Sequence, residues 1–171
     1  MDRDLVPLPV RTPATAEDLD VVGRQLGRPP RGTRAVAHRC PCGNPDVVET
    51  TPRLDDGTPF PTLYYLTCPR AVAACSRLES EGLMKDQQAR LAIDPELASA
   101  YLRAHEDYLA KREAIMHVDE IAGVSAGGMP SRVKCLHVQL GHALAAGPGV
   151  NPMGDEVIET IEPWWSGGPC V

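Results

Sequence analysis

Aromatic residues are scarce in this 171-residue chain: they make up 4% of it, with a single phenylalanine. A core must therefore be assembled mainly from Ala, Val and Leu. Also missing is any run of roughly 18 apolar residues, because Arg, Asp or Glu interrupts every candidate; no bilayer-spanning helix is expected. The opening MDRDLVPLPVRTPATAEDLD lacks the basic start and apolar centre of a secretory signal, which makes a cytoplasmic location the expectation. No G-x-x-x-x-G-K-[ST] loop, G-x-G-x-x-G turn or H-E-x-x-H helix occurs, so the common nucleotide, dinucleotide and zinc-protease routes have no motif support. Nucleic acid is not an expected partner of a chain whose net charge is -6.

What is present is 43% apolar and 23% charged residues, enough for one domain with a buried core. Residues 1–14 read as a flexible lead, 15–162 as the domain, and 163–171 as a C-terminal tail. Thr15 and Asp18 resemble a capping box ahead of Leu19, Val22 and Leu26, predicting a helix over 16–26 that GRPPRG stops. RAVAHRC, VVETTPRL and TLYYLTC lie between turn signals and predict a three-stranded meander over 34–40, 46–53 and 62–68. Pro69 opens an amphipathic helix carrying Val72, Cys75, Leu78 and Leu83, and Asp94 with Pro95 opens the longest one, which runs to about residue 115. Residues 119–131 read as a connection, Ser131 as the cap of a helix through VKCLHVQLGHALA, and Val157 to Ile161 as a short strand or helical turn. The fold expected is α+β: a small antiparallel three-stranded sheet packed against several helices.

Six cysteines in a reducing compartment are core thiols, metal ligands or reactive groups rather than disulfides. Cys40 and Cys42 form a C-x-C, Cys68 ends the third predicted strand, and Cys135 opens KCLH. In a meander the first and third strands run the same way, which sets Cys40 and Cys68 at one sheet edge with Cys42 beside them. Cys68 and Cys135 sit at predicted helix starts, where the positive helix end favours thiolate. Convergence of Cys40, Cys68 and Cys135, completed by Cys42 or by His38 or His137, makes a zinc site; a thiol set of this kind also suits an iron-sulfur cluster. The intervals after the C-x-C, 26 and then 67 positions, match no zinc ribbon. The opposing reading makes Cys40 and Cys68 buried small hydrophobes and Cys42 a turn residue. Cys75 reads as core. On a regular helix Cys135 and His137 point about 200° apart and share an ion only if the turn is irregular. His137 and His142 are candidates to line one cleft, while Glu79, Glu81 and Asp86 read as a solvated face.

Charge is unevenly laid out. Arg24, Arg28, Arg31, Arg34 and Arg39 fall between residues 24 and 39 with no acid among them. Arg31, Arg34 and Arg39 are the candidates to hold a small anionic ligand or an acidic protein partner by forked guanidinium contacts; the alternative is a solvated edge.

AHRCPCGNPDVVET, PFPTLYYLTCP, SRLESEGLM and VKCLHVQLGHALA with NPMG, in that order, resemble a bacterial family called domain of unknown function 501, common in actinobacteria. The resemblance covers about residues 27–160. It implies that Cys40, Cys68, Cys135 and His137 belong to shared motifs, Cys42 and Cys75 less so, which favours three thiols plus another ligand. Fold and activity are not implied by it. Two expectations of function stand side by side. One is a cytoplasmic metalloprotein whose Cys40, Cys68 and Cys135 hold zinc or an iron-sulfur cluster and act on a small substrate. The other is a non-catalytic adaptor engaging a partner through the Arg24 to Arg39 segment and the C-terminal Trp164 and Trp165.

Overall fold

In the computed structural model, which describes residues 1–171, Thr15 Oγ1 accepts the Asp18 amide and the Asp18 carboxylate accepts the Thr15 amide, each at 3.1 Å. This reciprocal cap starts helix α1, Ala16–Leu26. The sheet that follows has four antiparallel strands in chain order: β1 Thr12–Pro13, β2 Thr33–Arg39, β3 Pro45–Thr50 and β4 Tyr64–Leu66. The fourth strand, beyond the three expected, is β1, two residues of the N-terminal lead paired to β2. A proline is tolerated there because an edge strand can leave one side of its backbone unpaired.

Every residue of β3 is buried, so both faces of the sheet centre are covered; α1 touches β3, and α5 (Leu136–Ala146) packs along β4, β2 and β3. Two glycines set how closely α5 is held. A Cβ on Gly141 would lie 3.0 Å from the Tyr64 carbonyl oxygen of β4. A Cβ on Gly154, in helix α6 (Pro152–Thr160), would lie 2.1 Å from the Gln139 carbonyl oxygen. Helix α5 is thus clasped between strand and helix at backbone distance.

Helices α2 (Pro69–Glu81), α3 (Leu83–Ile93) and α4 (Pro95–Glu113) complete the layer; Leu83, expected on the helix opened by Pro69, instead begins α3, because Gly82 in a left-handed conformation (φ 98°) ends α2. Asp94 caps α4 by accepting the Glu96 and Leu97 amides. LMKDQQARLAI of α3 buries only Gln87 and Leu91, and so shows no apolar stripe that would announce it. Of the 157–161 segment, residues 157–160 are helical, the end of α6, and Ile161 is its extended C-cap; the helix forms because Asn151 accepts the Met153 and Gly154 amides and Pro152 fits the first turn.

The lead and the tail both dock. Val6 is buried, the Pro7 carbonyl accepts from His38, and Arg11 forks onto Glu49 at 2.8 and 2.9 Å. At the other end Trp164 is buried edge-on to Trp165, and Arg70 donates to the carbonyls of Gly167 and Gly168.

A buried polar chain crosses the core, and its donors can be assigned in sequence. Asn151 Oδ1 is taken by the two cap amides, so its Nδ2 donates, to Gln139 Oε1 at 2.8 Å and to His142 Nδ1 at 3.1 Å. His142 Nδ1 is therefore an acceptor and its Nε2 carries the proton, donated to Asp107 at 2.9 Å. Burial holds the His142 pKa down against the pull of Asp107, in keeping with this neutral ring. Gln139 Nε2 passes the chain on to Tyr101, whose hydroxyl donates to the Arg132 carbonyl.

Candidate metal centre

Helix α5 begins one residue after Cys135, not at Ser131. Cys135 is its N-cap, in an extended conformation (φ -156°, ψ 111°). Its side chain therefore leaves the backbone before the helical rotation starts, and the 200° separation of a regular helix does not apply. The sulfur accepts the Val138 amide, and His137 Nδ1 lies 3.8 Å from it. The third participant comes from α2: Glu79 Oε1 accepts the Leu136 amide at 2.8 Å and lies 3.2 Å from His137 Nδ1. Ligand-type atoms of Glu79, Cys135 and His137 all fall within 4.8 Å of one another, and no other set of three Cys, His, Asp or Glu residues does so. His137 Nε2 faces Ser76 Oγ of α2 at 3.3 Å.

Burial disfavours a thiolate at Cys135, but hydrogen bonds from His137 and the Val138 amide together outweigh it and hold the thiol below its ordinary value. The His137 pKa is raised, first by its contact with Cys135 and further by Glu79, with burial opposing. In a Cys–His–acid relay the thiol and the acid address opposite ring nitrogens. Here both face Nδ1.

Cys135 and His137 of this group, though not Glu79, line a cleft of about 510 Å³. Cys135, His137 and Val138 form one wall, with Leu26, Tyr65 and Val72 among the rest, and no Asp, Glu, Lys or Arg lines it.

The other predicted ligands lie elsewhere. Strand β3 separates β2 from β4, so Cys40 at the end of β2 and Cys68 beyond β4 are about two strand spacings, roughly 10 Å, apart across the sheet. Cys40 is buried beside Cys42, and burial drives its thiol pKa up. Cys68, the N-cap of α2, is buried beside Cys170, and burial pushes it up to about 12. Neither joins Cys135. Cys75 is fully buried in the core. His38 is buried with Nδ1 against Asp46 and Nε2 against the Pro7 carbonyl, and His142 belongs to the core chain, so of the two histidines expected to share a cleft only His137 lines it.

The arginines are largely paired. Arg39 forks onto Asp18 at 2.8 and 3.0 Å, Arg34 lies 3.6 Å from Glu49, and Arg31 pairs with Asp56. Glu79 escaped the sequence reading because it sits between Leu78 and Glu81 in a run that looks solvated; its one sequence signal is that SRLESEGLM is among the strings that carry the family resemblance.

A family model described as "Protein of unknown function (DUF501)" matches residues 36–159. The chain belongs to this family. Comparison with curated proteins and with solved structures finds no match. In this DUF501 member, Ser76, Glu79, Cys135 and His137 all lie inside the matched region, as do Cys40, Cys42 and Cys68.

Proposed function

We propose that this DUF501 protein is a mononuclear metalloprotein, zinc being the ion whose preferences fit best, with Glu79, Cys135 and His137 as ligands and the remaining position facing the cleft, where a small substrate is acted on. The observation that carries the reading is convergence: a sulfur, a carboxylate oxygen and a ring nitrogen address one point. A lone N–H on Nδ1 serves two anionic acceptors poorly, whereas a divalent cation among them satisfies all three. Bonds of about 2.3 Å to sulfur and about 2.0–2.2 Å to nitrogen and oxygen give tetrahedral edges of roughly 3.3–3.6 Å. The separations of 3.8 Å and 3.2 Å lie close to these.

One thiolate in the set suits a single ion rather than an iron-sulfur cluster, which draws on several. Thiolate and carboxylate together also neutralise a dication. A zinc ion held by Glu79, Cys135 and His137 would supply Lewis acidity toward a substrate oxygen. The chain's own part is orientation and exclusion. Ser76 accepts from Nε2 of the ring, freeing Nδ1 as a ligand; the Leu136 amide fixes one Glu79 oxygen; the apolar cleft walls limit water.

Elemental analysis and titration of the chelator-stripped protein with zinc, and with cobalt as a spectroscopic reporter, test this. One equivalent is expected, with a thiolate-to-cobalt charge-transfer band that Cys135→Ser abolishes. Glu79→Gln and His137→Ala should each weaken binding at least tenfold, while Cys40→Ser and Cys68→Ser leave it intact. Folded wild-type protein that binds neither ion, or a Cys135→Ser/His137→Ala double variant that still binds one equivalent, would overturn it.

A further inference from the structure

The cleft at Cys135 does not end at its own walls. Leu26 and Tyr65 also line a second hollow of about 190 Å³, so the two adjoin at these side chains. The halves differ in charge. Near Cys135 and His137 the lining carries no Lys, Arg, Asp or Glu; the lining of the second hollow includes Arg28 and Arg31, with Phe60 and Thr33, and no Asp or Glu. Phe60, which lines the second hollow, stacks on the shared Tyr65 with ring centroids 6.3 Å apart. Arg28 has no carboxylate partner; its only hydrogen bond is a 3.4 Å contact to the Pro29 carbonyl. Arg31 donates directly to Asp56 at the surface, with side chains 58% and 53% exposed, and a pair so hydrated exchanges easily for another anion.

We infer that the substrate is an elongated molecule whose polar reacting group sits at Cys135 and His137, whose uncharged body lies over Leu26 and Tyr65, and whose far end carries a carboxylate or phosphate held by Arg28 and Arg31. The inference rests on the metal reading above and adds the class of molecule. Arginine is the right residue for the far end, because its planar fork matches both anions. It also relocates the anion-binding role: Arg28, read from the sequence only as one of five arginines, takes it with Arg31, while Arg34 and Arg39 are tied to Glu49 and Asp18.

Two series of straight-chain alkyl hydroxamates of graded length, one ending in methyl and the other in carboxylate, supply the probe, since the hydroxamate group ligates zinc. Binding to the zinc-loaded full chain is followed by calorimetry, with zinc content measured on the same sample. At one chain length the carboxylate series should bind about tenfold tighter than its methyl counterpart, the size of one charge-assisted contact. R28Q/R31Q should erase that difference and leave the methyl series unchanged. Equal affinity of the two series at every length, or a preference that survives R28Q/R31Q, overturns the inference and leaves the metal centre standing, as does zinc-loaded protein that binds neither series. Protein that takes up no zinc overturns both.

Discussion

Glu79 owes its role to what lies opposite it. Its Oε1 accepts the Leu136 amide, an orphan donor at the start of α5, while the same oxygen faces His137. The two duties separate by substitution. Glu79→Gln keeps an acceptor for the amide and removes the charge, so stability should change by less than about 1 kcal/mol while zinc affinity falls roughly 10- to 100-fold. Glu79→Ala leaves the amide unpaired and should cost about 1–3 kcal/mol in urea unfolding besides. Equal loss of stability in both variants would show that the charge itself holds the helix. A second residue-scale pair has a pH signature. Forked hydrogen bonds from Arg39, against some burial and with help from Thr15, bring the Asp18 carboxyl from 3.8 to about 2. The folded value is the lower one, so this stabilisation is complete above the unfolded value and fades as pH falls through about 4 towards 2. Discounted for the partly exposed Arg39 side chain, it amounts to about 1 kcal/mol. The wild-type advantage over Asp18→Asn in denaturant midpoint should thus shrink across that interval; a constant advantage down to pH 2 would assign it to the helix cap alone.

At the scale of elements, the starts of α1, α2 and α4 were legible because their signals are local: Thr15 with Asp18, Pro69, and Asp94 with Pro95 each satisfy or remove amides within a few residues. The start of α5 was not. Its first amide is satisfied by a side chain 57 positions away, so nothing near Ser131 or Cys135 announces the register. That same long-range contact makes the candidate centre, which explains why Cys135 and His137 were picked out while Glu79 was not. β1 and α3 were illegible for a related reason: a two-residue edge strand and a helix with little apolar stripe are defined by what they pack against. The clasp on α5 predicts a sharp response to Gly154→Ala. The added carbon would meet backbone rather than a flexible side chain, so helices α5 and α6 must part, costing about 1–3 kcal/mol. The same helix carries His142, kept neutral by burial, with Asn151 donating to its Nδ1. Folding lowers its pKa, so the unfolded chain binds the extra proton first, and stability falls as pH drops below about 6.5. Asp107, Lys111 and Asp155 surround the ring electrostatically. The readout is therefore the pH dependence of wild type minus that of His142→Gln between about pH 7.5 and about pH 5.5. A flat difference would mean that the ring titrates alike in both states.

For the molecule as a whole, the candidate centre is a cross-link. Its ligands come from the end of α2 and the start of α5, and α5 is the element on which sheet and α6 both pack. An ion held only in the folded state adds RT ln(1 + [L]/Kd), about 2.7 kcal/mol when zinc stands at 100 times its Kd. For a domain of this size that raises the unfolding midpoint by roughly 5–10 °C. The gain should appear on adding zinc to chelator-stripped protein, vanish with excess chelator, and be missing from Cys135→Ser. It should persist in Cys40→Ser and Cys68→Ser, whose thiols are buried on other parts of the fold. If zinc instead stabilised Cys135→Ser as much as wild type, the ion would be binding elsewhere, and the meeting of α2 and α5 at Glu79 would be a matter of helix capping alone.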